Sequence, residues 1–232
     1  MLREHAFDLD TLQDADIRRG ELDKYAAIIL PSQRPNSILH GHDVSRMPKE
    51  YTGGIGLDGT KMLQEYVKKG GTLITFDRAS DFAIDQFGLP IVNVTKNLSD
   101  KQFFIPGSLI RANVDTKKSL AYGMQAEVAA SFSRSRAFKI YEPSYTGEGG
   151  KEAIERAPKP NAEIIVKFAD KDLLMSGWAQ GEDKYLKGKA AMIDVVHGEG
   201  NVVLFSFRPQ FRGQPRGTYK LIFNAVFEAA GE

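Results

Sequence analysis

The chain has 232 residues, of which 42% are hydrophobic, a size and composition that suit one large globular domain or two small ones. Its 31 basic and 30 acidic residues leave a formal net charge of +1, without the basic excess of a nucleic-acid-binding protein. Cysteine is absent, which excludes disulfides, thiolate metal sites and a cysteine nucleophile. No apolar run approaches the ~20 residues that cross a bilayer, so we expect neither a nucleic-acid nor a membrane partner.

Short apolar runs alternate with amphipathic stretches over the first hundred residues. Ala26–Leu30 and Thr72–Phe76 are continuous apolar runs of the kind found in buried strands. Between them, Asp58 is predicted to cap a helix with apolar residues at helical spacing, and a second helix is predicted over Ala79–Phe87. Strands and helices that alternate with short joints favour an α/β layer with a mostly parallel sheet flanked by helices.

The second half is richer in predicted strands. Ser144–Asn161 is rich in Gly, Pro, Glu and Lys and is predicted to be an exposed loop. His197–Gly200 is predicted to be a four-residue hairpin loop, and Thr218 is predicted to cap the last helix. The predicted strands of this half are Ser108–Val114, Ala126–Phe132, Ala137–Tyr141, Glu163–Phe168, Ala190–Val196 and Asn201–Phe207.

These elements indicate one domain over 1–232, with an α/β part at 1–100, a β-rich part at 101–189 and a hairpin with a C-terminal helix at 190–232. A doubly wound sheet usually opens with its central strand, whereas the first strand-like run here begins only at Ala26. The first strand is therefore missing: either another element fills its place or the chain starts inside a longer natural reading frame. Such a sheet exposes apolar edges, so we expect self-association or low stability.

Gly54–Gly59 matches the G-x-G-x-x-G pattern of dinucleotide-binding folds and precedes a helix and a strand that ends at Asp77. That pattern binds a pyrophosphate only where it leaves a strand. The residues before it are polar and contain Pro48, so we predict a loop that enters a helix and no nucleotide cofactor.

His40, His42 and Asp43 lie close together in sequence and raise the question of a metal site. Zinc needs at least three protein ligands in a suitable geometry, and no further ligand is indicated. We therefore predict a solvated loop and no metal site.

The turn after Thr72–Phe76 reads Asp77-Arg78-Ala79-Ser80. In hydrolases and amidotransferases such a strand-to-helix turn carries the nucleophile, with glycines beside it. No G-x-S-x-G pattern occurs, and Ser80 lies too far into the turn, so Ser80 is predicted to be a helix cap or a residue of the first helical turn. We predict no catalytic residue here and keep Asp77, Arg78 and Ser80 as candidate ligand-binding residues.

The loop after the last predicted strand carries Arg208, Gln210, Arg212 and Arg216, which are further candidate ligand-binding residues. Open α/β sheets bind ligands at the carboxyl ends of their strands, and anions bind at helix N-termini. Equally, the arginines of this loop are expected to pair with acidic side chains such as Asp77. The sequence leaves both interpretations open.

The order of segments resembles the class I glutamine amidotransferase-like fold, in the version found at the C-terminus of bacterial zinc carboxypeptidase-like proteins. The likeness covers most of the chain and is fairly specific in Gly53–Gly59 and Phe207–Gln214. It implies a flavodoxin-like fold with added β hairpins. It also implies an upstream peptidase domain in the same natural polypeptide, exported from a bacterium. A working amidotransferase uses an elbow cysteine with a downstream histidine and glutamate, and this chain has no cysteine.

The H-x-x-E zinc ligands of the peptidase are absent as well. The resemblance therefore implies a non-catalytic accessory or ligand-binding domain. Two alternatives stay open: a stand-alone hydrolase, or a carbohydrate- or peptide-binding module. Either would use the Asp77–Ser80 turn and the Arg208–Arg216 loop.

Overall fold

Three parallel strands with an antiparallel extension form one ten-stranded sheet in the computed structural model, which describes residues 1–48, 52–141, 160–213 and 216–231. The strands are β1 (Ala27–Leu30), β2 (Thr72–Phe76), β3 (Ile91–Asn93), β4 (Ser108–Val114), β5 (Glu127–Phe132), β6 (Phe138–Ile140), β7 (Ala162–Phe168), β8 (Leu174–Ser176), β9 (Ala190–His197) and β10 (Gly200–Phe205). The α-helices are α1 (Asp14–Arg19), α2 (Pro35–His40), α3 (Gly56–Lys68), α4 (Arg78–Phe87), α5 (Glu182–Tyr185) and α6 (Tyr219–Ala230).

The strand order is β1-β2-β10-β9-β7-β4-β5, and β3, β6 and β8 pair beside this path. Parallel pairing joins β1 to β2 and β2 to β10, so that Ile29 and Val203 both lie beside Ile74. The remaining pairs are antiparallel, including the β9–β10 hairpin. The predicted flavodoxin-like α/β fold is confirmed, with parallel pairing in β1, β2 and β10 and antiparallel hairpins in the β-rich half.

Two hydrophobic cores lie on the two faces of the sheet. Leu73 packs with Leu63 of α3 and Phe82 of α4, whereas its neighbour Ile74 packs into the core that contains Leu221 of α6. Successive side chains of a strand point to opposite faces, so a strand covered on both faces is apolar at every position. All five residues of β2 are buried accordingly, which is why this strand was predictable to the residue.

The structure corrects several predicted boundaries. Asp58 does not cap α3, because that helix begins at Gly56 and places Asp58 in its first turn. α2, where no helix was predicted, begins with Pro35 at its first position. Thr218 precedes α6, but its hydroxyl donates to the Pro209 carbonyl (2.6 Å) and makes no side-chain cap. The β9–β10 loop is two residues long, since the strands reach His197 and Gly200.

β1, the first strand in the chain, lies at the edge of the sheet and not at its centre. No described strand pairs with its outer side. The predicted loop over 144–161 falls almost wholly outside the described residues. Among the helices that the structure describes, none is long and apolar enough to cross a membrane.

Candidate anion-binding site

The carboxyl ends of β1, β2 and β10 lie side by side, because these three strands run parallel. Each is followed by polar residues: Ser32 and Arg34 after β1, Asp77 and Arg78 after β2, and Arg208 after β10. Ligands of open α/β sheets bind at such an edge. The topology thus gathers side chains that are up to 176 positions apart in the printed sequence.

Asp77 forms the sharp turn between β2 and α4. Its backbone has φ 51° and ψ −110°, a conformation that costs an L-residue on the order of 1–3 kcal/mol. Its amide donates to the Phe205 carbonyl (2.8 Å), which fixes the turn against β10. A strained strand-to-helix turn of this kind is the backbone feature of a nucleophile elbow, and here it carries a carboxylate.

The Asp77 side chain is 1% exposed and its carboxylate is incompletely paired. The Ser32 hydroxyl donates to Oδ2 (2.8 Å). Arg136 Nη1 lies 3.8 Å from Oδ1 and Arg208 Nε lies 3.7 Å from Oδ2, which suits ion pairs but is too long for hydrogen bonds. Burial raises the pKa of Asp77, and the Arg136 charge, the Ser32 hydrogen bond and the Arg208 charge oppose part of that rise.

Positive charge is in excess at this edge. Four guanidinium groups interact electrostatically there, those of Arg34, Arg78, Arg136 and Arg208, and we call these residues the arginine cluster. Burial and the neighbouring Arg136 charge lower the pKa of Arg78. Two described carboxylates face the cluster, Asp77 and Asp81, the latter bound to Arg136 at 2.8 Å. Two guanidinium charges therefore lack a carboxylate partner among these six residues.

Unpartnered polar atoms concentrate at the same edge. Six buried side-chain polar atoms of the described residues have no hydrogen-bond partner, and four of them belong to residues that follow β2 or β10. Those four atoms are Asp77 Oδ1, Ser206 Oγ, Arg208 Nε and Gln210 Oε1. An unpaired buried polar group costs about 1–3 kcal/mol, so such a concentration indicates a place built to receive further hydrogen bonds.

The structure brings some of the predicted ligand-binding residues together and not others. Asp77, Arg78 and Arg208 meet in the arginine cluster. Ser80 is fully buried in the first turn of α4, where its hydroxyl donates to the Phe205 carbonyl (2.9 Å), so it fastens α4 to the sheet. Arg212 is exposed beside the Phe211 ring.

The sequence left open whether the arginines of the loop after β10 bind a ligand or pair with acidic side chains, and both interpretations apply to Arg208. The Arg208 guanidinium lies over the Phe211 ring at 4.0 Å, and its Nε lies 3.7 Å from Asp77, so this arginine is held by the protein while its side chain is 25% exposed. Arg216 is exposed at the start of a 3-10 turn. No described contact joins Arg212 or Arg216 to the arginine cluster.

Arg34 and Arg136 were missed from the sequence. Arg136 precedes β6 and reaches the site only because β6 pairs with β9 beside the parallel strands. Its backbone amide donates to the Ser206 carbonyl (2.8 Å), which anchors it next to β10. A polar residue after Ala26–Leu30 was the available signal for Arg34, since that run was already predicted to be a strand.

The other sequence motifs do not assemble into sites among the described residues. No group of three or more potential metal ligands occurs in the part of the chain that the structure describes. Gly54 precedes α3, but the nearest preceding described strand, β1, ends at Leu30. The glycines of this loop pack closely against Gly41, where a Cβ on Gly54 would clash with the Gly41 nitrogen.

Comparison with known proteins identifies the fold. A cytoplasmic protein from Salmonella typhimurium superposes with a TM-score of 0.58 at 14% identity, over 98% of this chain and 83% of that one. A putative GMP synthase subunit protein from Thermoplasma acidophilum gives 0.56 at 13% identity, over 99% and 85% of the chains. A putative ThuA-like protein from Bacteroides uniformis gives 0.53 at 11% identity, over 98% and 78%.

The fold is class I glutamine amidotransferase-like. No protein-family model and no curated protein sequence matches the chain. At these identities the structural likeness concerns the amidotransferase-like fold alone.

Proposed function

We propose that this chain is a non-catalytic ligand-binding domain that binds an anion at the arginine cluster. The observation that carries the proposal is the excess of guanidinium groups around Asp77 at the carboxyl ends of three parallel strands. Arg136 and Arg208 are each held by protein contacts, so little side-chain entropy is lost when an anion binds to them. Pre-organised guanidinium groups recognise carboxylates and phosphates through paired N–H donors.

The natural setting that we propose is an accessory role in a zinc carboxypeptidase-like protein. The sequence resemblance to the amidotransferase-like module of such proteins supports this setting, and the amidotransferase-like fold is compatible with it. Reading the gene upstream of the Met1 codon tests it. An open frame that encodes an H-x-x-E zinc motif is expected, and a nearby upstream stop codon would refute it.

The case for a non-catalytic domain rests on the nucleophile position. The chain has no cysteine, the carboxylate at the elbow is 1% exposed, and Ser80 is fully buried with its hydroxyl engaged. A hydrolase that uses Asp77 is the alternative that one observation favours, namely the elbow conformation of its backbone. Turnover of an ester, amide or phosphoester that disappears in Asp77→Ala would establish that alternative.

Calorimetric titration with inorganic phosphate tests anion binding directly. We expect phosphate to bind the folded chain and to bind less tightly as salt is added, because exposed charges are screened. Arg208→Ala is expected to weaken phosphate binding by about tenfold, the loss of one charge-assisted hydrogen bond.

Arg212→Ala is the matched control, because Arg212 lies in the same loop beside the same Phe211 ring. Its removal changes the net charge equally but leaves the arginine cluster intact. Equal weakening in the two variants would show that phosphate senses only overall charge. The absence of phosphate binding to folded wild-type protein would refute the proposed site.

A further inference from the structure

The unpartnered atoms beside the arginine cluster require more of a ligand than a negative charge. Asp77 Oδ1 is a hydrogen-bond acceptor without a donor, and Gln210 Oε1 in the loop after β10 is another. Arg208 Nε is a donor without an acceptor, and it lies 3.7 Å from the other Asp77 oxygen. A carboxylate ligand satisfies donors only, because it carries no proton to give, whereas inorganic phosphate at neutral pH still carries a hydroxyl. A simple carboxylate ligand would therefore leave the Asp77 oxygen unpaired.

The missing donor has to be compatible with the surrounding charge. An ammonium group would pair with Asp77, but it would also meet the guanidinium excess of the arginine cluster, and like charges repel. An amide N–H is neutral but can only donate, which leaves Arg208 Nε unpaired. A hydroxyl group both donates and accepts, so one hydroxyl can pair with Asp77 and Arg208 together.

We infer that the ligand of this site carries a hydroxyl group beside its anionic group, as in a hydroxy acid, a sugar acid or a sugar phosphate. This inference rests on the proposed anion-binding function and narrows its ligand class. The anionic group contacts the partly exposed guanidinium groups, and the hydroxyl reaches the buried pair formed by Asp77 and Arg208. Asp77 is then a specificity determinant, which explains why a carboxylate lies in a site for anions.

Three small carboxylates that differ in one substituent test the inference. Lactate, propionate and alanine carry a hydroxyl, a hydrogen or an ammonium group at the same carbon. We expect lactate to bind at least about fivefold more tightly than propionate, the effect of one added hydrogen-bonded group, and alanine to bind no more tightly than propionate. Glycerol 3-phosphate and propyl phosphate, which differ by two hydroxyl groups, extend the comparison to phosphate esters and show which anionic group is preferred.

Binding constants come from calorimetry or from competition with inorganic phosphate. In Asp77→Ala we expect the lactate-to-propionate ratio to fall to about one while phosphate still binds, and Arg212→Ala leaves the ratio unchanged. Cooperative urea unfolding of each variant confirms that it is folded, and the wild-type series stands by itself if Asp77→Ala does not fold.

The outcomes separate this inference from the proposed function. Phosphate binding without any advantage for lactate or glycerol 3-phosphate would overturn the hydroxyl inference and leave the anion site standing. Tighter binding of alanine than of lactate would also overturn it, in favour of an amino-acid ligand. If no anion binds, phosphate included, both the inference and the proposed function fail.

Discussion

Asp77 and Asp81 lie one helical turn apart and share Arg136, yet they are treated differently by the fold. Asp81 is bound at 2.8 Å by Arg136 and at 2.7 Å by the amide of Asn93, so both its oxygens have partners. Asp77 is more deeply buried, at 1% against 7% exposure, but Arg136 stays 3.8 Å away. One carboxylate completes a structural network, and the other is left with an unpartnered oxygen.

The difference shows how the cluster can be stable and still bind. Arg136 is oriented by Asp81 and by the Arg134 carbonyl (2.9 Å), so its position does not depend on Asp77. A ligand that pairs with Asp77 therefore meets a guanidinium already in place. Binding sites need this division between groups that fix geometry and groups that stay available.

Removing Asp81, the carboxylate that holds Arg136 in place, is expected to have the largest effect on the free energy of unfolding. Asp81→Ala removes the partner of a mostly buried guanidinium and strands the Asn93 amide. We expect a loss of about 3 kcal/mol in the free energy of unfolding, measured by urea denaturation. Asp85→Ala on the same helix is the control: its pair with Lys96 is exposed and its loss should cost less than about 0.5 kcal/mol. Equal losses would mean that Asp81 is no more structural than a surface acid.

The contrast between the two aspartates also shows which features of the fold can be predicted from the sequence and which cannot. β2, β4 and α4 were predictable to within a residue. Burial determines which consecutive positions of a strand or an amphipathic helix are apolar, so the pattern can be recognised in the sequence. β3 and β8 have three residues each and were missed, whereas the equally short β6 was found because it lies within the longer predicted run Ala137–Tyr141.

For the site, the sequence indicated the edge where β2 and β10 end, because strand ends can be read locally. It could not assign Asp77 and Asp81 their roles, since Arg136 reaches both from 55 to 59 positions away. It also could not separate Arg208 from Arg212. Both look alike in a loop, and only the folded chain shows which one lies beside Asp77.

A third carboxylate, Asp194 of β9, extends the comparison to an acid that has no basic partner among the residues that the structure describes. Burial raises its pKa to about 6, the Asn201 amide opposes part of the rise, and the charges of Glu228 and Glu163 add to it. Glu163 is the cross-strand neighbour of Asp194 and is itself bound by Lys118 (2.9 Å). An acid whose pKa rises on folding destabilises the fold once it ionises.

Asp194→Asn is therefore expected to stabilise the protein, by about 2 kcal/mol at neutral pH. The gain should be absent at low pH, where Asp194 is protonated in both states. It should grow as the pH rises from the ordinary aspartate range towards about 6 and stay constant above that value. Urea unfolding of both proteins across this range measures it. A difference that does not change with pH would show that ionisation of Asp194 is not its cause.

Asp77→Asn should also raise the free energy of unfolding, but by less than Asp194→Asn does. Its pKa is also raised by burial, but Arg136 and Arg208 stabilise the charged form, which Asp194 lacks. We expect a gain in the free energy of unfolding at neutral pH that is smaller than that of Asp194→Asn and that vanishes in acid. Asp81→Asn is the matched comparison and should lose stability, because a charged pair is broken. If both asparagine variants shift stability alike, the two carboxylates are equivalent and the division of roles drawn above is wrong.

The smallest expected effect isolates the backbone of the elbow. Glycine relieves the positive φ at position 77, but it also makes the unfolded chain more flexible, which opposes part of that gain. We expect Asp77→Gly to exceed Asp77→Asn in stability by a few tenths to about 1 kcal/mol, because strain at such a position exceeds the entropy cost.

Position 81, inside α4, is the control. There the glycine variant should instead be less stable than the asparagine variant by a few tenths of a kcal/mol. The difference in urea midpoint between the glycine and asparagine variants is thus expected to have opposite signs at positions 77 and 81. That result would show that the two aspartates differ in backbone conformation as well as in pairing. A lower stability of Asp77→Gly than of Asp77→Asn would contradict this order and would show that the lost contacts of the buried side chain outweigh the relief of backbone strain.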